Sequence, residues 1–246
     1  MSTGEIILAL AAIVAGALVK AVTGVGFPLL AVPVIAAFTS IEAAVVVIAL
    51  PNLVANLVLT FRERDHHGAN PDLPVLVVTS LAGGVSGTFL LTRVPSAPLT
   101  LALAAMVIVY VVTIFVTPDF TLPRRAARRG SPVVGAVAGV AQGATGVSGP
   151  LVVTWTTVYR LPRDAFVASV TAMFAASGLG QIIGIVADGS YDRGRITATL
   201  AGIVVVLVTL PLGARLRRRI PLEAFQVLVM AVLVVSAVTL VIQVAT

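Results

Sequence analysis

The sequence predicts an all-α integral membrane protein made of two inverted repeats, each with one broken helix that forms a re-entrant hairpin and three transmembrane helices. Hydrophobic residues make up 59% and charged residues only 11% of the chain, whereas a soluble domain has about 25% charged residues. Apolar stretches of about 20 residues, each long enough to cross a bilayer, recur along the whole chain. They lack the alternation of an outer-membrane barrel strand. In addition, one motif that contains glycine and proline occurs twice.

The repeated motif reads TGVGFPL at residues 23–29 and TGVSGPL at residues 145–151, so the second copy follows the first by 122 positions. Both copies interrupt long apolar runs. Glycine and proline break helices, and a broken helix inside a bilayer frees backbone groups that need another partner. A break that is duplicated in this way therefore predicts a binding site.

Eight hydrophobic runs follow one another along the chain. Six have the length of ordinary spans, at residues 42–61, 74–92, 99–117, 164–186, 195–214 and 222–245. The other two, at 5–38 and 131–160, carry the motif. A straight helix of 30 or more residues would reach about 45–50 Å, which is longer than the hydrocarbon core. Each motif segment must therefore tilt strongly, cross twice or fold back as a hairpin.

The placement of arginine decides how the two motif segments cross the membrane, because cytoplasmic loops collect basic residues. If each segment crosses once, the fifteen arginines of the chain divide eight to seven between the two sides. If each segment enters and leaves on the same side, twelve are cytoplasmic and three are outside, which favours the hairpin. The twelve are Arg62, Arg64, Arg124, Arg125, Arg128, Arg129, Arg160, Arg163, Arg215, Arg217, Arg218 and Arg219.

A hairpin and three spans in each half give the two halves opposite orientations. The chain then divides into an N-terminal repeat at 1–120, a basic cytoplasmic linker at 121–130 and a C-terminal repeat at 131–246, all within one membrane domain. Inverted repeats are a recurrent plan of secondary transporters. At the offset of the motif, Glu42 aligns with Asp164, and each opens a helix, where a carboxylate favours the helix dipole. A role for both acids in proton coupling is the alternative.

Composition also excludes several classes of protein. The chain has no cysteine, which excludes disulfides and thiolate metal sites. Residues 1–5 have no basic region of the kind found in a signal peptide, so we expect the first apolar run to be retained. The net charge of +6 comes almost wholly from loop arginines, which indicates a topological role and no nucleic-acid partner. We expect a multi-pass protein of the cell membrane (inner or plasma), with the lipid bilayer as a partner and a homodimer as an open alternative.

The chemistry of the two breaks favours an anion. Pro28 and Pro150 suit the first turn of a helix, so a half-helix is predicted to begin near each of them. Helix N-termini expose unpaired N–H groups and carry a partial positive charge. Glycine lets a ligand approach the backbone, and hydroxyl groups add donors. The candidate substrate-binding residues of the breaks are Thr23, Gly24, Gly26, Thr145, Gly146, Ser148 and Gly149.

Lys20 and Gln142 are further candidates for substrate binding. Lys20 is the only lysine, and it precedes the first motif by the same three positions as Gln142 precedes the second. An ionisable residue at membrane depth is costly and usually functional. The alternative for Lys20 is a helix end from which its amine reaches the interface. The alternative for Gln142 is a hydrogen bond between helices.

Three more polar side chains lie inside apolar runs. Asn52 and Asn56 are four residues apart and share one helix face, and Gln181 lies in the corresponding run of the second half. They are expected to line the substrate site, and hydrogen bonding between helices is the competing interpretation. His66 and His67 lie in a hydrophilic loop, where a solvated role is favoured over a metal site. No cofactor and no metal are expected.

The sequence resembles the TauE/SafE sulfite exporter family, also called the four-helix sulfate or sulfonate permease group. The resemblance rests on KAVTGVGFP at residues 20–28 and QGATGVSGP at residues 142–150. Phe27 stands where the family more usually has glycine, which leaves the first break less open to backbone contact. The resemblance implies transport of small sulfur-containing anions such as sulfite, sulfonates or sulfoacetate.

Three functions are compatible with these patterns. The first is a transporter, not an enzyme, that exports a small anion bound between the two breaks by alternating access. Uniport, proton symport and Na⁺ coupling remain open. The second is an intramembrane serine hydrolase that uses Ser148, although a nucleophilic serine needs a base and no apolar run contains a histidine. The third is a scaffold subunit without transport activity, which leaves the duplicated break unexplained.

Overall fold

The computed structural model describes residues 3–23, 27–115, 122–216, 234–235 and 238–242. All regular structure in these ranges is helical. The helices are α1 Thr3–Thr23, α2 Phe27–Ala36, α3 Ile41–Arg62, a 3₁₀ helix Arg64–Ala69, α4 Leu73–Arg93, α5 Ser96–Phe115, α6 Arg124–Thr145, α7 Gly149–Thr157, α8 Arg163–Asp188 and α9 Arg193–Leu216. The expected all-α class is therefore confirmed.

Four of the described helices are long and apolar enough to cross a membrane. They are α3, α4, α8 and the part of α9 from Arg193 to Leu212. They correspond to four of the six ordinary spans that the sequence predicts. The fifth, at 99–117, corresponds to α5, and most of the sixth, at 222–245, lies outside the described residues. The chain is thus a helical protein with several apolar helices, as expected of a multi-pass membrane protein.

Both motif segments are broken, as predicted. α1 ends at Thr23 and α2 begins at Phe27, while α6 ends at Thr145 and α7 begins at Gly149. The second segment starts earlier than its apolar run, because α6 begins at Arg124, directly after Pro123. Arginine and alanine are good helix formers, so the basic stretch extends the helix.

In each segment the short helix folds back along the long one. A Cβ atom at Gly16 of α1 would lie 2.7 Å from the carbonyl oxygen of Phe27, and the Cβ of Ala31 is also close. A Cβ atom at Gly130 of α6 would lie 2.6 Å from the Trp155 ring of α7. Residues before and after each break therefore approach each other in antiparallel order.

In each half of the chain, the last of the four corresponding helices packs against helices of the other half. α4, from the first half, lies against α6 and α8, and α9, from the second half, lies against α1 and α3. Glycines make the first of these contacts very close. A Cβ atom at Gly139 of α6 would lie closer than 3.0 Å to backbone atoms of Ser80 and Gly84. Small residues allow this approach where the bilayer supplies no hydrophobic driving force.

Polar contacts join the halves at both ends of α3. At its first turn, Glu42 Oε1 accepts a hydrogen bond of 2.7 Å from Arg195 Nη1. Beyond its last turn, Tyr159 Oη donates to Asp72 Oδ2 at 3.0 Å and lies 2.6 Å from Ser131 Oγ. A helix of this length spans about 33 Å, so the two contacts lie at opposite ends of the bundle.

The close packing of α4 on α6 predicts a strong effect of a single added methyl group. We expect Gly139→Ala to lower the free energy of unfolding by about 1–3 kcal/mol, because the backbones must separate. Gly68→Ala is the matched control, since a Cβ atom there meets nothing within 4 Å. Thermal unfolding in detergent measures both variants, and equal midpoints would contradict the packing argument.

Candidate functional site

A small cavity lies between the two breaks. Its volume is about 20 Å³, which is room for about one water molecule. The start of α2 and the residues just after the end of α6 both contribute to its wall, so the two breaks share one space. The lining residues are Lys20, Pro28, Leu29, Asn52, Gln142, Val147, Ser148, Gly149 and Phe174.

Lys20 supplies the charge of this cavity. It lies in the last turn of α1 and is only 2% exposed. Its Nζ donates a hydrogen bond of 2.5 Å to Asn56 Oδ1 and lies 5.8 Å from the centre of the Phe174 ring. Asn56 Nδ2 in turn donates to Asn52, to the carbonyl oxygen at 2.9 Å and to Oδ1 at 3.1 Å. The amides of α3 therefore hold the ammonium group in place.

The Lys20 ammonium has no acidic partner among the described residues. Every ion pair in the described ranges joins groups in loops or near helix ends, and none involves Lys20. A buried charge that is not neutralised carries a large desolvation cost. The neutral amide oxygen and the aromatic ring offset part of this cost, and a bound anion would offset more.

Gln142 organises the opposite wall of the cavity. Its Oε1 accepts a hydrogen bond of 2.8 Å from Ser148 Oγ, and its Nε2 donates to the carbonyl oxygen of Gly146 at 2.9 Å. Gln181 Nε2 of α8 donates to the backbone oxygen of Gln142 at 2.7 Å. Backbone groups that the break releases thus find partners inside the protein, as a membrane interior requires.

Gly146 and Thr145 shape the second break. Gly146 has φ of 73°, a left-handed conformation that caps α6, and its N–H donates to the carbonyl oxygen of Gln142 at 2.8 Å. Glycine adopts this conformation without steric cost. The Thr145 hydroxyl donates to the carbonyl oxygen of Ala141 at 2.8 Å and accepts from the N–H of Val147 at 3.3 Å. Both residues therefore support the break from outside the cavity wall.

The structure brings most of the predicted site residues together. Lys20, Asn52, Gln142, Ser148 and Gly149 line the cavity. The residues that support them from behind are Asn56, Thr145, Gly146 and Gln181. Gly24, Gly26 and the side chain of Thr23 lie outside the described residues.

Sequence reasoning missed the apolar part of the wall. Phe174, Leu29 and Val147 line the cavity next to Lys20, and each looks like an ordinary core residue in its apolar run. Phe174 is distinguished only by its position over the Lys20 ammonium. No local pattern signals this contact, because the two residues are far apart in the chain and meet only in the packed bundle.

The site offers no arrangement for nucleophilic catalysis among the described residues. The Ser148 hydroxyl donates to the Gln142 amide oxygen, which is not a base. His66 and His67 lie on the 3₁₀ helix, and His66 Nδ1 is 3.7 Å from Glu63 Oε2. The described ranges also contain no cluster of three or more potential metal ligands.

Two broken helices thus meet at the buried Lys20 within a bundle of apolar helices, which is the architecture of a multi-pass membrane protein. The family model described as "Sulfite exporter TauE/SafE" matches residues 8–240 of the chain. The protein therefore belongs to the TauE/SafE sulfite exporter family. No curated protein and no solved structure matches the chain.

The left-handed glycine of the second break predicts a matched pair of variants. We expect Gly146→Ala and Gly189→Ala each to destabilise the fold by about 1–2 kcal/mol, because both glycines have φ near 70°. Gly146→Ala should lower the free energy of unfolding by more than Gly189→Ala. The Cβ atom at position 146 would lie 3.1 Å from Val32 Cγ2, whereas a Cβ atom at position 189 meets nothing within 4 Å. Thermal unfolding in detergent compares them, and an equal loss would mean that Val32 does not constrain the break.

Proposed function

We propose that the protein transports a small sulfur-containing anion (sulfite, a sulfonate or sulfoacetate) out of the cell, across the inner or plasma membrane. The observation that carries this proposal is Lys20, a buried ammonium without a carboxylate partner among the described residues, at the place where two broken helices meet. Membership of the sulfite exporter family supports the substrate class.

The anion would bind between the two breaks and complete the coordination of Lys20. The ammonium has three N–H donors, and Asn56 is the hydrogen-bond acceptor that the described residues give it. Asn52 also lines the cavity, and its side-chain amide offers N–H donors to an anion oxygen. The cavity has room for about one water molecule. We therefore expect the two breaks to separate when a larger anion binds, which would link occupancy of the site to movement of the helices.

The inverted repeat provides a basis for that movement. At the offset of the motif, α1, α2, α3 and α4 correspond to α6, α7, α8 and α9. The packing of α4 on α6 and α8 then has its counterpart in the packing of α9 on α1 and α3, which supports two related halves at 1–120 and 131–246. Rocking of these halves around the cavity would expose the anion to one side of the membrane and then to the other.

Contacts at the two ends of the bundle fit an alternating-access cycle. The Arg195–Glu42 ion pair closes one end, and the Tyr159–Asp72 hydrogen bond closes the other. Opening one end while the other stays closed breaks only one of these contacts at a time. Export itself is downhill for an anion when the cell interior is negative, by about 2.3 kcal/mol per charge and 100 mV. Uniport is therefore sufficient.

Replacement of Lys20 tests the transport site. We expect Lys20→Met to lower the flux of labelled sulfite in proteoliposomes by about tenfold or more, because a charge-assisted hydrogen bond contributes about 1.5–3 kcal/mol. Arg64→Gln is the control, since that side chain is 73% exposed and lies outside the cavity. Undiminished flux in a well-folded Lys20→Met protein would rule out the site. Flux by the purified wild-type chain would exclude a purely scaffolding role.

Single cysteines test the inverted topology, since the natural chain has none. Gly68→Cys places an exposed thiol in the α3–α4 connection, and Arg193→Cys places one at the first residue of α9. These two regions correspond in the two halves. We expect an impermeant maleimide to label them from opposite sides of the membrane, with position 68 on the cytoplasmic side. Labelling of both from the same side would mean that the halves are parallel.

A further inference from the structure

We propose that the site selects anions with a single negative charge, and that Lys20 sets this preference. The favoured ligands are sulfonates with an uncharged remainder and bisulfite. Dianions such as sulfate or sulfoacetate would bind more weakly. This inference rests on the proposed function, because it specifies the substrate class of the same cavity.

The described residues that line the cavity carry at most a single positive charge in total. Lys20 is the only charged residue in the lining, and the polar residues that share it (Asn52, Gln142, Ser148) are neutral. The described arginines lie in loops or near helix ends, as do the described acids that form ion pairs. The described part of the chain therefore supplies at most one full positive charge to a bound anion.

Helix dipoles add little to that charge. Each helix terminus carries about half an elementary charge, positive at the N-terminus and negative at the C-terminus. At each break the two kinds of terminus lie side by side, since α1 ends at Thr23 where α2 begins at Phe27, and α6 ends at Thr145 where α7 begins at Gly149. Partial charges of opposite sign at so short a separation largely offset each other.

The rest of the wall could not stabilise a second negative charge. Pro28, Leu29, Val147 and Phe174 present apolar surface. The Ser148 hydroxyl hydrogen is already donated to Gln142, so it is not available to a second anion oxygen. A monoanion with Lys20 forms a neutral pair, whereas a dianion leaves one charge uncompensated in a medium of low dielectric.

Two sulfonates of similar size test the preference with the wild-type protein. 2-Hydroxyethanesulfonate carries one negative charge at neutral pH, and sulfoacetate carries two. We expect 2-hydroxyethanesulfonate to inhibit the flux of labelled methanesulfonate in proteoliposomes at a concentration lower by about tenfold or more. Equal or stronger inhibition by sulfoacetate would overturn the inference while leaving sulfonate transport intact. Absence of flux for methanesulfonate, sulfite and sulfoacetate alike would overturn the proposed function itself.

A second test supplies Lys20 with a counter-ion from the protein. Asn56→Asp replaces the amide that already accepts the Lys20 hydrogen bond by a carboxylate of the same shape. We expect this variant to lose affinity for 2-hydroxyethanesulfonate by about tenfold or more, because the ammonium is neutralised. Its second carboxylate oxygen cannot donate to Asn52 as the amide does, so thermal unfolding first establishes that the variant is folded. Asn56→Leu is the control that removes the amide without adding charge. Its affinity for 2-hydroxyethanesulfonate should fall by less than that of Asn56→Asp. An equal loss in a folded Asn56→Leu protein would show that charge is not the determinant.

Discussion

The Lys20 ammonium, held inside an apolar helical bundle by the amide oxygen of Asn56, is the interaction on which the site depends. A charge in this position is costly, so the protein surrounds it with the groups that are compatible with a membrane interior: an amide and an aromatic ring. Because these groups are neutral, the ammonium keeps most of its capacity to attract an anion. A carboxylate in their place would neutralise the ammonium and remove that capacity.

At the second break, side chains form hydrogen bonds with the backbone groups that the break leaves without helical partners. Gln142 bonds the carbonyl oxygen of Gly146, and the Thr145 hydroxyl bonds groups on both sides of the break. Gln181 anchors Gln142 from α8. These contacts satisfy the groups that the interruption of α6 releases. The irregular backbone of the second break therefore has its hydrogen-bond partners within the protein.

The packing of the helices combines close backbone contacts with separable polar contacts. Glycines such as Gly139 bring α6 against α4 so closely that there is no room for a methyl group. The ends of the bundle are instead joined by single polar contacts, Arg195 with Glu42 and Tyr159 with Asp72. Such contacts can break and reform at modest cost.

The sequence by itself determined the all-α class and both helix breaks, and it pointed to the polar residues that line the candidate site, because composition, apolar periodicity and glycine–proline motifs act locally. It also marked Lys20 and Gln142 as candidates for substrate binding, since each precedes its motif by three residues. Only the tertiary structure decided that Asn56 holds Lys20 and that Phe174 covers it. It also decided that Thr145 turns its hydroxyl to the backbone. These contacts join residues from different helices or depend on the geometry of the break, and no local pattern encodes which side chains meet when the helices pack.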